Sequence, residues 1–427
     1  KSVMARIRTT LFLLVAVAAG AGPLRAEDGV YASGFYTRGV DAAATIDQGG
    51  PVADPFYVPV RTGALLPRVT LAAARDDNVF LDPTNATVGT TLELVPGLLA
   101  IWGRPAGNHV YADAGLILPL YESDEDVGED PSRLLRLGSV IRTGKSQLLG
   151  QLGFRQLEDT DAVVGTRLAK QDWFADLSGE HRISGKSSVG AQGRFERHEF
   201  EAENYLDYDR VYGAGRLYHR VSAKSETFLQ GGLGRDEPHA GDTAAAADFY
   251  DLSLGLRGKQ SPKFNASGRL GYMWRAYDAE ARDDYAHWIA SLRAEATPLG
   301  LTTFSGEVQA DVRPAVDADD ADAVDQNVVL GASRRLFTER LRGTASATLG
   351  QIDYAGGRTA AADGLDGRTD RYWGFSLGAD WWSQERFSVG VAYSYMRRDG
   401  SVDGDAAAQD ATSYEQGRWT LRASWNY

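Results

Sequence analysis

The chain has 427 residues, a formal net charge of -13 and no cysteine. The absence of cysteine excludes a disulfide scaffold, and the acidic balance argues against a nucleic-acid partner, which would need a basic field. Beyond residue 26, no stretch approaches the roughly 18 consecutive apolar residues that a membrane-spanning helix requires.

The first predicted element is a secretory signal peptide in residues 1–26. From Met4, a basic start leads into the apolar run LFLLVAVAAGA, and small residues make Ala21 or Ala26 a suitable cleavage site. The run is too short to span a membrane; a short membrane anchor is the alternative. Removing residues 1–26 takes away four basic residues and no acidic residue, so the net charge changes from -13 to -17.

Residues 27–65 are predicted to form an extended periplasmic lead-in. They lack clear alternation and contain Pro51, Pro55 and Pro59. The segment is too short for the plug of a siderophore-type transporter, which also belongs to a 22-stranded class. The remaining residues, 66–427, are predicted to form one barrel domain.

Large apolar residues alternate with small or polar residues along this domain. In RFSVGVAYSYMRR, the odd positions from Phe387 to Tyr395 are large and apolar, and the positions between them are Ser, Gly or Ala. Because alternate side chains of a β-strand point to opposite faces, one face of each strand is apolar. The apolar faces end in Trp and Tyr and the polar faces carry Arg, which favours a transmembrane barrel over a soluble sandwich.

The spacing of these segments predicts the size of the barrel. Candidate strands begin near residues 66, 88, 108, 134, 146, 165, 187, 208, 225, 247, 263, 285, 303, 325, 341, 371, 386 and 414. Eighteen is an even number, as in bacterial single-chain barrels, and 16 strands remain if one pair is split wrongly. The predicted fold is all-β, a transmembrane antiparallel up-and-down β-barrel.

The connections alternate between short and long, which predicts short periplasmic turns, long acidic extracellular loops and both termini in the periplasm. Four related basic phrases occupy short connections: IRTGKS (141–146), HRISGKS (181–187), HRVSAKS (219–225) and RGKQSPK (257–263). Ser, Gly and Lys suit an exposed tight turn, and Gly185 can supply a positive φ. The basic side chains either meet anionic head groups or only keep the turns soluble.

Two long connections are strongly acidic, ESDEDVGED (122–130) and DADDADAVD (317–325). Clustered carboxylates can hold Ca²⁺, but neither phrase has the EF-hand glycine and glutamate, so a solvated loop is favoured over a metal site. No GxSxG or HExxH pattern occurs, and His181 and His219 fall in short turns. We therefore predict no enzyme activity, no metal and no cofactor.

The inward face of the barrel is the predicted working surface. Alternation places charged residues of both signs on it; the pore-lining candidates are Arg155, Arg194, Arg269, Arg275, Arg293, Arg342, Asp380, Arg418 and Arg422. Rings of arginine attract anions, whereas cross-strand ion pairs would only stiffen the wall, and the sequence leaves both readings open. Trp425 and Tyr427 are predicted to form an assembly signal at the periplasmic rim.

Several phrases resemble a known family. LPRVTLAAARDDNVF (66–80), the interruption Pro96-Gly97 in LELVPGLLA, and NYLDYD (204–209) resemble the beta-barrel porin family that is often linked to exopolysaccharide loci. The resemblance implies an outer-membrane barrel of a Gram-negative bacterium and a connection with polysaccharide export. It implies no catalytic residues.

Two functions follow as expectations. The first is a porin-like channel for passive diffusion of small polar or anionic solutes. The second is an accessory barrel in exopolysaccharide export or assembly. The expected partners are outer-membrane lipid and lipopolysaccharide, the outer-membrane insertion machinery and, for the second function, polysaccharide-export components.

Overall fold

The computed structural model describes residues 58–60, 63–79, 81, 86–104, 107–122, 131–161, 166–201, 207–239, 246–261, 263–278, 284–314, 322–338, 340–355, 369–384, 386–401 and 413–426. The predicted signal peptide, most of the lead-in and Tyr427 lie outside these residues. No helix in the described part of the chain is long and apolar enough to cross a membrane.

The described residues form 19 β-strands. They are β1 Val58–Val60, β2 Gly63–Asp76, β3 Gly89–Gly103, β4 His109–Glu122, β5 Ser132–Arg142, β6 Ser146–Asp161, β7 Thr166–Arg182, β8 Ser187–Phe200, β9 Tyr208–Arg220, β10 Ser225–Pro238, β11 Ala247–Ser261, β12 Phe264–Tyr277, β13 Tyr285–Ala296, β14 Thr302–Arg313, β15 Asp322–Leu336, β16 Leu341–Ala355, β17 Thr369–Gln384, β18 Phe387–Ser401 and β19 Tyr414–Asn426. Strands β2–β19 begin within three residues of the eighteen predicted starts.

Strands β2–β19 close into an antiparallel up-and-down barrel, which confirms the predicted fold and the count of eighteen. Each strand pairs with the next in sequence, and β19 pairs back with β2, where Trp425 lies opposite Val69. Strand β1 pairs with the first residues of β2, beyond the point where β19 ends opposite Arg68. Closure leaves no exposed sheet edge along most of the wall, as a bilayer requires.

The connections alternate as expected. Those after the odd-numbered strands from β3 to β17 contain two to five residues. Those after the even-numbered strands contain seven to thirteen residues, except for four residues between β6 and β7. Both ends of the barrel, Gly63 and Asn426, lie at the short-turn end, which faces the periplasm in barrels of this kind.

A shared hydrogen bond explains why a serine or threonine recurs in the four basic phrases. The Ser184 hydroxyl accepts hydrogen bonds from the backbone N–H groups of Lys186 (3.1 Å) and Ser187 (3.0 Å). The N–H of Lys224 donates to the Ser222 hydroxyl in the same way (3.1 Å), and the pairs Lys145 with Thr143 and Lys263 with Ser261 repeat the pattern. A hydroxyl two residues before lysine therefore closes four neighbouring turns.

Two details of the predicted turns are wrong. Gly185 does not adopt a positive φ; among the described glycines only Gly103 (φ 109°) and Gly300 (φ 69°) do, because the Ser184 hydroxyl closes its turn without one. In the fourth phrase, β11 continues through Ser261, so Arg257 is a strand residue and not a turn residue. Its side chain finds carboxylate partners inside the barrel, described below.

The outward face is apolar with tryptophan near both ends. Near the periplasmic ends lie Trp102, Trp381 and Trp425, which are 46%, 42% and 49% exposed. Near the extracellular ends lie Trp274, Trp288 and Trp373, and the surface between is dominated by leucine and valine. Aromatic belts that flank an apolar band mark the two interfaces of a bilayer.

Candidate functional site: the inward face of the barrel

Contacts between distant strands identify the inward face. The Arg257 guanidinium of β11 lies 2.9 Å from the Glu180 carboxylate of β7, four strands away, and 2.8 Å from Glu226 of β10. Only side chains that point into the barrel can meet across so many strands. The guanidinium also stacks 3.8 Å from the ring centre of Tyr218. The wall therefore curves tightly around this cluster, near the periplasmic end.

The structure places all nine predicted pore-lining candidates on this inward face. The strand pairing puts each candidate on the same face as residues whose side chains make contacts across the interior. The exposed tryptophans lie on the other face. Trp425 lies on the outward face near the periplasmic end, where the assembly signal was predicted.

Four of the eight candidate arginines are ion-paired. Arg155 bonds to Asp172 (Nε–Oδ2 2.8 Å), and Arg194 lies 3.1 Å from Glu196 and 3.3 Å from Asp176. The other pairs are Arg275 with Asp236 and Asp322, and Arg422 with Asp380. For these four arginines, the contacts support the interpretation that cross-strand ion pairs stiffen the wall.

Three candidates are not neutralised in this way. Arg269, Arg293 and Arg342 form no ion pair with any other residue in the described ranges, although Arg342 donates a hydrogen bond to the Ser333 hydroxyl (2.9 Å). All three lie in the periplasmic halves of their strands. The paired charges Asp172, Asp236 and Asp322 lie instead toward the extracellular end.

A buried charge network occupies the extracellular half. Arg210 and Arg275 both bind Asp236 (2.6 Å and 2.5 Å), and Arg275 also pairs with Asp322, which accepts the Tyr277 hydroxyl. Arg275, Asp236 and Asp322 are each 3% exposed. Removing one member would leave an uncompensated buried charge, so the network fixes the relative positions of β9, β10, β12 and β15.

Asp322 is a correction to the sequence analysis. The acidic phrase 317–325 was expected to be a solvated loop, yet Asp322 begins β15 and Asp325 accepts the Tyr372 hydroxyl (2.9 Å). Residues 317–321 of this phrase and residues 123–130 of the other lie outside the described residues. Sequence alone cannot separate a loop carboxylate from one that meets an arginine three strands away.

Two further inward clusters were missed. Asp113, which is 0% exposed, accepts from Arg68 (2.8 Å) and Arg136 (3.2 Å) on either side. Arg398 pairs with Asp370, and both are almost fully buried. The alternation already placed these residues inward, and that parity is the signal that could have found them.

Several solved structures are similar to this chain at low sequence identity. No family model and no curated protein matches the chain. Among solved structures, Pseudomonas aeruginosa OccK9 (OpdG) has a TM-score of 0.48 at 14% identity and covers 86% of this chain and 99% of its own. Pseudomonas aeruginosa OccK2 (OpdF) has a TM-score of 0.47 at 14% identity, covering 85% and 98%. A bacterial polysaccharide outer membrane secretin has a TM-score of 0.38 at 10% identity, covering 84% and 98%.

The barrel's own features place it in a membrane. Its eighteen strands are closed, its outward face is apolar, and tryptophans lie at both ends of that face. Such a barrel belongs to the outer membrane of a Gram-negative bacterium. The architecture implied by the resemblance to beta-barrel porins is thereby confirmed.

Proposed function

We propose that the protein is an outer-membrane channel for passive diffusion of small polar or anionic solutes. Charged side chains of both signs line the inward wall, and so many ions favour a wet interior over a dry one. The observation that carries the anionic preference is the pair Arg269 and Arg293, which form no ion pair with other described residues.

The two arginines lie close together on neighbouring strands. Arg269 of β12 is opposite Ser291 of β13, and Arg293 of β13 is opposite Ser267 of β12. They are therefore diagonal neighbours on one face, a separation of roughly 7–8 Å between backbone positions. Two guanidinium groups at this spacing can bind one carboxylate or phosphate group between them.

No described carboxylate lies within ion-pair distance of either guanidinium group. Glu307 lies opposite Arg293 on β14 but forms no ion pair with it, whereas the inward carboxylates Asp172 and Asp236 of the extracellular half are bound to arginine. The pair is thus exposed to the solutes that pass. Salt screens such a field over about 10 Å at 0.1 M, so the preference for anions should weaken as salt rises.

Single-channel recording of the purified protein in a planar bilayer tests the proposal. Replacing Arg269→Gln and Arg293→Gln together should shift the reversal potential in a salt gradient toward cations without lowering thermal stability. The matched control, Arg422→Gln with Asp380→Asn, removes an ion pair without changing the net charge and should leave the reversal potential where it was.

Two results would overturn the proposal. An unchanged reversal potential in the Arg269 and Arg293 double variant would remove the anionic preference. A folded wild-type protein that carries no current would remove the channel itself and would favour the accessory role in exopolysaccharide export.

A further inference from the structure

In the extracellular half of the barrel wall, β13 and β14 are not paired with each other. We call this unpaired stretch the seam. Pairing of these strands runs from Ala296 opposite Phe304 to Ala290 opposite Ala310 and ends there. Beyond that point the first residues of β13 stay paired only with β12, and the last residues of β14 only with β15. Strand residues are present on both sides of this seam, so the interruption is not caused by a strand that ends early.

The tip of the β14–β15 hairpin, residues 311–313 and 322–324, lies inside the wall. Val312 and Val324 are opposite each other and have the parity of the outward face, yet each is 1% exposed. They pack with Ile289, Met273 and Tyr285, which are inward side chains of β12 and β13. Outward side chains can meet the inward side chains of neighbouring strands only if the tip forms a second, inner layer.

Both faces of the tip are covered, which supports the inner position. On its other face, Ala323 is 0% exposed and packs with Ile352 and Tyr372. Strands of a single-layered barrel have one face toward the lumen and one toward lipid. A packed inner layer lies about 10 Å from the outer one, so the tip narrows the extracellular mouth.

Asp322 holds the tip in this position. Its carboxylate pairs with Arg275 and accepts the Tyr277 hydroxyl, and both partners belong to β12, three strands away. Arg275 is itself held by Asp236 of β10 (2.5 Å). We call the contacts of Asp322 with Arg275 and Tyr277 the latch.

Side chains replace hydrogen bonds that the open seam has lost. The N–H of Val312 donates to the carboxylate of Asp311 (2.9 Å), and the His287 ring nitrogen Nδ1 lies 2.9 Å from the carbonyl oxygen of Trp288. Backbone groups without partners would be costly, so these local contacts lower the cost of keeping the seam open.

The same sequence also suits full pairing of β13 with β14, which would close the seam. Extending the existing register would place Trp288 opposite Val312 and His287 opposite Arg313. Val312 and Val324 would then join the lipid-facing surface beside Trp288, which is 59% exposed, as the alternation of the sequence favours. The apolar residues of the tip would thus be covered in either arrangement.

We propose that the β14–β15 tip is a gate, which moves between the inner layer and the wall and sets the width of the extracellular mouth. The latch favours the inner arrangement, in which the mouth is narrow. Full backbone pairing of β13 with β14 favours the arrangement in the wall, in which the mouth is wide. Movement of the tip is independent of the proposed channel function; only its effect on current rests on that function. Packed elements with two discrete arrangements are a common basis of switching.

Disulfide trapping tests the movement, because the chain has no cysteine of its own. The variant Trp288→Cys with Val312→Cys can form its disulfide only when the seam closes, since Val312 otherwise packs inside the wall. The matched control is Ala290→Cys with Ala310→Cys, which joins residues already opposite each other on the same two strands.

We expect both variants to crosslink in the folded barrel, and only the Trp288 and Val312 disulfide to raise the single-channel conductance, reversibly on reduction. Crosslinking of the control alone would overturn the gate, since the tip would then be fixed. Crosslinking of both without a change of conductance would also overturn it. A wild-type barrel without current would defeat the channel proposal, while the crosslinking yield would still report whether the tip moves.

A second variant keeps the gate testable if the paired cysteines impair folding. Asp322→Asn removes the charge of the latch and should raise the occupancy of the wide state about tenfold, the factor expected for losing one hydrogen bond to a charged group. Asp113→Asn is the control, because it weakens another buried ion pair, with Arg68 of β2 and Arg136 of β5, on strands distant from the tip. Equal conductance in both variants would contradict the gate.

Discussion

Arg422 of β19 reaches over β18 to form an ion pair with Asp380 of β17. The residue between them on the inward face is Gly390, which is opposite both partners in the strand pairing. A Cβ atom at Gly390 would collide with the Asp380 carboxylate and would lie 2.8 Å from Nε of Arg422. A side chain at position 390 would thus have to displace the two partners of the ion pair, which occupy the space above this glycine.

The first prediction concerns this close approach. Gly390→Val should lower the free energy of unfolding by about 1–3 kcal/mol, since it overpacks the wall and separates the ion pair. Guanidinium titration of the barrel in lipid vesicles, followed by tryptophan fluorescence, measures the change. The control is Gly193→Val, at a position where an added Cβ meets nothing within 4 Å. Equal losses of unfolding free energy in both variants would show that valine destabilises these strands without any effect through the ion pair.

The second prediction concerns the ion pair itself. Arg422→Gln should cost about 1–3 kcal/mol, because it leaves the carboxylate of Asp380, only 6% exposed as a residue, without its cation. Arg422→Gln combined with Asp380→Asn should cost less than Arg422→Gln alone. The same unfolding titration gives all values of the double-mutant cycle. Additive costs would mean that the two residues do not stabilise each other.

The third prediction separates turn geometry from turn charge in the repeated phrases. Ser222→Ala removes the hydroxyl that accepts the Lys224 N–H and should cost about 0.5–1.5 kcal/mol. Lys224→Gln keeps that hydrogen bond and should change stability by less than about 0.5 kcal/mol. Unfolding in vesicles of neutral lipid and of anionic lipid compares the two. A larger effect of Lys224→Gln in anionic vesicles would indicate instead that the lysines bind head groups.

The fourth prediction concerns assembly. We expect deletion of Tyr427 to lower the amount of folded barrel severalfold, because Trp425 and Tyr427 are the residues predicted to form the signal for the outer-membrane insertion machinery. Heat-modifiable migration on gels measures the folded fraction in outer-membrane preparations. Tyr427→Phe keeps the aromatic ring and should assemble normally. Full assembly of the deleted protein would count against an assembly signal at Tyr427.

Much of the inward surface follows from local pattern. The parity of Arg269 and Arg293 could be read from the leucines one residue away and the tryptophans five residues away, because a strand turns alternate side chains to opposite faces. The partners of Arg257 could not be read in this way. They lie on β7 and β10, and the distance to Glu180 depends on how tightly the closed wall curves.

The sequence by itself determined the strands, their number, the face that each residue occupies and the end of the barrel at which each turn lies. These properties depend on a two-residue period and on the length of each connection, which are local. Only the tertiary structure decided which inward charges neutralise each other and where the β14–β15 tip lies. Both depend on contacts between strands, and several of these contacts join strands two to four apart, which meet only after the barrel has closed and its wall has bent. The alternation of Val312 and Val324 therefore predicts a lipid-facing surface, while the latch at Asp322 holds the same residues inside.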